Sequence, residues 1–137
     1  MKIEELEDAP QWLLDADTNF ADVEIIDGIV HWNGGVWKEG VWHNGVWKDG
    51  TWLDGVWYDG IWENGTWYEG AWQNGIWYEG TWKDGIWLNG VWNGGYWFNG
   101  VWKYGRWLGG YWRGGKWKKG YRWKNQLVPF DTPPSND

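Results

Sequence analysis

The chain has 137 residues, with 20 Trp, 23 Gly, no Cys and a formal net charge of −7. This length fits one domain, or one repeat array with short flanks, and the lack of Cys excludes disulfides and thiolate metal sites. The charge is unevenly spread: residues 1–30 carry nine acids and one base, residues 31–100 eight acids and three bases, and residues 101–124 eight bases and no acid. An elongated fold of this chain is therefore electrically polar from end to end.

The first eight residues, Met1 to Asp8, contain no apolar core of a secretory signal. No apolar run is long enough to span a bilayer. The expected location is cytoplasmic or within a virion. Residues 1–18 read as an acidic lead, poorly structured or weakly helical, interrupted by Pro10 and anchored by Trp12-Leu13-Leu14. Two β-rich runs follow, 22–26 and 29–32, around the turn signal Asp27-Gly28. Residues 1–32 thus form an acidic lead and an N-terminal β cap, as the atypical first unit of an array requires.

From Trp32 to Trp117 a Trp recurs every five residues, and from Gly35 to Gly120 a Gly follows each Trp by three. The unit is Gly, a β-branched residue, Trp, a variable residue, then Asn, Asp or Glu, as in residues 75–79. The array spans residues 33–120. At Tyr121 the register slips, because Trp123 comes one residue late. Residues 121–137 read as a C-terminal cap and Pro-rich tail. Leu127, Val128 and Phe130 are expected to pack back as a lid, and the last residues to be disordered.

A Gly in every pentad costs a helix about 1 kcal/mol each, which rules helix out. Val, Ile, Thr, Trp and Tyr favour strands, and Asn-Gly or Asp-Gly favours a bend with positive φ. Each pentad is then a short strand and a corner. A meander of three-residue strands and two-residue turns fails on parity, since a strand with a hairpin at each end needs an even number of residues. Two all-β arrangements remain. One is a β-solenoid with one pentad per side and every Trp, with the Gly two residues before it, pointing inward. The other is an antiparallel meander of ten-residue units with a bulge at each mid-strand Gly. The ten-residue unit is suggested by an alternation after Trp: Tyr58, Tyr68, Tyr78, Leu88, Phe98 and Leu108 alternate with polar residues. In both arrangements the Trp must be buried. One buried indole contributes roughly 4–6 kcal/mol, against roughly 5–8 kcal/mol of backbone entropy for its pentad.

The period, with one large residue per pentad and a small one two positions before it (Trp77 and Gly75), resembles the pentapeptide-repeat proteins. That resemblance implies a four-sided right-handed β-solenoid, although Trp and Gly here replace the family's usual Leu or Phe and small residue. The stretches 68–75 and 78–85 resemble the first half of a MORN repeat, which implies an antiparallel sheet used as a scaffold or membrane-associated module. Gly-Trp pentad arrays also resemble proteins of tailed-phage genomes, which implies a virion or tail-associated assembly component.

Residue types for catalysis are scarce. There are two His, at 31 and 43, one Ser at 135 and no Cys, so no Ser-His or Cys-His nucleophile pair can be assembled in the array. No enzyme activity and no cofactor are expected. Carboxylates at the corner position read as turn residues. Asp49, Asp54 and Asp59 would bind Ca²⁺ only if they shared one corner, and EF-hand spacing is absent.

Tyr58, Tyr68 and Tyr78 read as a surface aromatic ladder or, functionally, as stacking sites for sugar rings in a carbohydrate-binding module. Lys103, Arg106, Arg113, Lys116, Lys118, Lys119, Arg122 and Lys124 form a basic end. It can bind nucleic acid or another anionic surface, or pair with the acidic N-terminal end of another copy or a protein partner. The acidity of the whole chain favours assembly over nucleic acid. The expected function is that of a non-enzymatic structural or interaction repeat protein.

Overall fold

A computed structural model describes residues 1–123 and 126–134. The chain forms a β-solenoid of about six turns with a buried Trp stack. The meander is not formed, because strands of the array pair in parallel with strands fifteen residues away. Three pentads make one coil, so the cross-section has three sides and not the four implied by pentapeptide repeats.

The N-terminal region contains a 3₁₀ turn at Ile3–Glu5, helix α1 (Gln11–Asp15) and strand β1 (Asp17–Ile26). Strand β2 (Ile29–Glu39) returns antiparallel to β1 across the expected turn, where Asp27 and Gly28 take φ +52° and +78°. β2 then runs straight into the first coil. Sixteen two-residue strands, β3 to β18, follow at one per pentad from Val41–Trp42 to Lys116–Trp117. Strand β19 (Gly120–Trp123) adds to the first side, and β20 (Leu127–Phe130) turns back antiparallel on it.

The pentads sort into sides by position. The first side stacks His31, Val46, Ile61, Ile76, Val91 and Arg106 before its Trp residues. The second stacks Val36, Thr51, Thr66, Thr81, Tyr96 and Tyr111. The third stacks Val41, Val56, Ala71, Ile86, Val101 and Lys116. Each pentad also sends two backbone hydrogen bonds to the coil before it. In the mid-array pentad Ile76 N–H donates to Gly60 O at 3.0 Å and Tyr78 N–H to Trp62 O at 2.8 Å.

The Trp side chains fill the triangle in three columns. Indoles fifteen residues apart stack with centroids 4.7–5.0 Å apart and planes within 3–7°. Indoles five residues apart meet edge-on at 5.7–6.0 Å and 69–77°. Both arrangements suit the aromatic quadrupole. Every array Trp from Trp32 to Trp102 has no solvent exposure. The Nε1–H groups of Trp52 and Trp77 donate to the carbonyls of Glu69 and Gly94 in the next coil, both at 3.1 Å. Most other indole N–H groups in the columns are buried without a partner.

The repeat Gly is the small residue beside the core: a Cβ at Gly50 would lie 3.0 Å from Trp32 Nε1 and 3.3 Å from Trp47 Cζ2. From Gly40 to Gly120 the repeat Gly has φ between +102° and +150°, a region closed to L side chains. A Cβ at Gly50 would lie 2.6 Å from the carbonyl oxygen of Gly35, one coil earlier. The Gly thus permits close coil-to-coil approach beside the indoles. Its N–H is met by the residue before it: Asp49 Oδ1 accepts from Gly50 N–H and Asp84 Oδ1 from Gly85 N–H, both at 2.8 Å. The preference for Asn, Asp or Glu at the corner is this hydrogen bond.

The two ends differ. The lead is folded, not loose. Its strand β1 covers the outer edge of β2, and α1 packs against Val41–Trp42. Leu13 is buried, and Trp12 meets the Trp42 ring edge-on at 5.1 Å. Residues near Met1 lie over β1 in turn: Val23 N–H donates to Met1 O at 2.7 Å, and the Met1 amine pairs with Asp22 at 2.6 Å. At the other end the strands Tyr111–Trp112 and Lys116–Trp117 are the last of their rows, and among the described residues no strand pairs with them from outside. The tail does fold back, with Phe130 O accepting from Trp117 Nε1 at 2.9 Å. The last three residues lie outside the described residues.

Candidate functional site

The three-sided coil decides what the surface residues can do together. Tyr58, Tyr68 and Tyr78 are ten residues apart, two thirds of a turn, so they stand on the third, second and first sides respectively. They form no ladder and no shared stacking face. On the third side Tyr58 lies after His43, ring to ring at 5.5 Å, and before Gln73. On the second side Tyr68 lies between Leu53 and Lys83, and Lys83 Nζ reaches over the Phe98 ring at 4.8 Å. A ten-residue alternation wound on a three-sided coil places polar residues between the large rings of each side. This avoids a continuous exposed apolar stripe.

The ladder that does form is elsewhere. Tyr96 and Tyr111 stack on the second side at 5.1 Å and 14°, with Phe98 beside Tyr96 at 6.3 Å. The sequence signal for it was the fifteen-residue spacing before Trp: Thr51, Thr66 and Thr81, then Tyr96 and Tyr111. Their mutual stacking turns one face of each ring toward the other.

The corner carboxylates separate in the same way. Asp49, Asp54 and Asp59 stand on three different corners, so they cannot share one cation. The residues that do share a corner are Glu39, Asp54, Glu69 and Asp84, fifteen apart. Among the described residues no group of three metal-ligating side chains comes together.

The basic residues do gather. Arg106, Arg113, Lys116, Lys118 and Lys119 occupy the last coil and are spread over all three sides, with Lys103 one coil before. Lys124 lies outside the described residues. Arg122 is set apart by its structural role. The register slip at Tyr121 pairs Arg122 with Trp107, the position an indole would otherwise take. Its guanidinium sits 3.6 Å over the Phe130 ring and Nη1 donates to Pro133 O at 2.8 Å. Burial pushes its pKa down from the ordinary arginine value. Arg122 thus fastens the tail across the end of the first column, and displaced Trp123 is 58% exposed.

At the opposite end the acids of residues 1–27 surround the plug formed by α1 and β1. Among the described residues no helix is long and apolar enough to cross a membrane. No family model, curated protein or solved structure matches the chain.

Proposed function

We propose that this protein is a non-enzymatic structural rod that assembles through its ends. The acidic plug of one copy, or of a partner with the same charge, docks on the basic last coil of another. The observation that carries this reading is the opposition of charge along the axis: nine acids and one base in residues 1–30 against eight bases and no acid in residues 101–124. The strands Tyr111–Trp112 and Lys116–Trp117, the last of their rows, lie within the basic region. Trp107, Trp112 and Trp117 keep 4–7% exposure where the other array indoles have none. A docked surface would cover both.

The N-terminal edge is already occupied by β1, so the contact is a plug against the last coil and not one sheet continued through both copies. Contacts of this heterologous kind build rings or filaments, which fits a virion or tail-associated assembly component. The pentad period is the link to pentapeptide-repeat proteins, with three sides in place of four.

Sedimentation velocity across a salt series tests the reading. Larger species at low salt should dissociate as salt screens the ends. Replacing Lys116, Lys118 and Lys119 together by Glu should abolish assembly. Mixing that variant with one carrying Glu4→Lys, Glu5→Lys and Glu7→Lys should restore it as alternating contacts. Monomer at every salt concentration would reject end-to-end assembly of this chain.

A further inference from the structure

Three residues depart from the repeat and meet in one groove. Corner positions from Gly34 to Asn99 hold Asn, Asp, Glu or Gly, and Tyr104 breaks that series. A phenol has no carbonyl to turn back on the following Gly N–H, so the corner lacks the hydrogen bond that Asn44 and Asp59 make on the same corner. On the first side four aliphatic residues, Val46 to Val91, are followed by Arg106 and then Tyr121. None of the three is needed for the Trp core. Departures from a strict local rule without structural gain mark functional positions.

The groove has a volume of about 440 Å³ and is lined by Asn74, Asn89, Tyr104, Arg106, Tyr121 and Leu127, with backbone between them. Tyr104 and Tyr121 meet edge-on, at 6.0 Å and 74°. Tyr104 is 40% exposed. The neighbouring Tyr121 hydroxyl raises the Tyr104 pKa, and the nearby Arg106 charge opposes the shift. One cation, two amides that both donate and accept, and a flat apolar face converge on one concave site.

We infer that this groove binds an acidic sugar unit of a glycan, with its carboxylate on Arg106, its ring face on Tyr104 and its hydroxyls on Asn74 and Asn89. Guanidinium and carboxylate match as a charge-assisted pair, and amides suit vicinal hydroxyls. The groove shares Arg106 with the basic last coil but none of the three lysines tested there, so its failure would leave that reading standing.

The full chain is titrated at physiological salt with oligogalacturonate and with its methyl ester, followed by calorimetry and by NMR of the Tyr rings. The acid should bind and shift Tyr104 and Tyr121, and the ester should bind at least about tenfold more weakly. Arg106→Val and Tyr104→Asn restore the repeat residues, so they should keep the fold by circular dichroism and lose about tenfold or more in affinity. If Tyr104→Asn fails to fold, Tyr104→Leu, which keeps bulk without a flat face, decides instead. Lys116→Gln with Lys118→Gln should bind as the parent does. Absence of binding, equal binding of the ester, full affinity in the folded groove variants, or an equal loss in the lysine variant would each overturn the inference.

Discussion

At Gly75 the chain needs two properties that only glycine has together. Its φ is +125°, and an added Cβ would press on the carbonyl of Gly60 in the coil below. Gly75→Ala should therefore cost more than about 2 kcal/mol, beyond the usual gain from stiffening the unfolded chain. Urea denaturation measures it. Asn-Gly and Asp-Gly signals made the positive φ legible in sequence. The closeness of successive Gly backbones was not, because it depends on how coils stack. Tyr104 carries a second residue-scale prediction. The Tyr121 hydroxyl beside it raises its pKa above the ordinary 10.0, so Tyr104 stays a neutral phenol through that range and ionises as pH rises through the raised value. Tyr121→Phe should bring the Tyr104 titration back down, as read from ring chemical shifts against pH.

At the scale of the element, the corner columns carry opposing effects. Glu39, Asp54, Glu69 and Asp84 succeed one another along one corner, and like charges on neighbouring strands destabilise by roughly 0.2–1 kcal/mol per pair. Each also accepts from the next Gly N–H. Asn keeps the acceptor and removes the charge. Asp54→Asn with Asp84→Asn should therefore raise the melting temperature at low salt, and the gain should shrink at high salt. The corresponding Ala pair should lower it. The sequence made the corner residues readable as turn formers. Which of them are neighbours depends on the number of sides, and five-residue spacing alone suits three sides or four. The ten-residue alternation drew attention to Tyr58, Tyr68 and Tyr78 as a set. The fifteen-residue recurrence of Thr51, Thr66 and Thr81 was the informative period.

For the whole molecule, the sequence carried the solenoid, the inward Trp stack and the Asp27-Gly28 turn. It concealed the plug, because residues 1–18 have no strong period and gain their structure by packing on the first coil. It also concealed the Tyr104 groove, which joins residues 74 to 127 through coil stacking. Fluorescence tests the overall arrangement. The column indoles are sealed, so a soluble quencher should reach mainly Trp123 and the half-buried Trp12, and Trp123→Phe should remove much of the quenchable emission. Free quenching in that variant would contradict the closed columns. Deletion of one full coil, residues 61–75, joins Gly60 to Ile76 and keeps every row on its own side. That protein should fold with both caps intact and be shorter by about 4.8 Å, which circular dichroism and small-angle scattering can measure.

Three sides also make the pentad count a rotary setting. Each added pentad advances the thread by roughly 1.6 Å, a third of the strand spacing, and swings the basic terminus through a third of a revolution about the axis. Length therefore changes little while azimuth changes greatly, and only multiples of three pentads return the two termini to their original bearing. In a head-to-tail series the pitch of the resulting strand of molecules would be tuned by the number of pentads, with no residue at either contact altered.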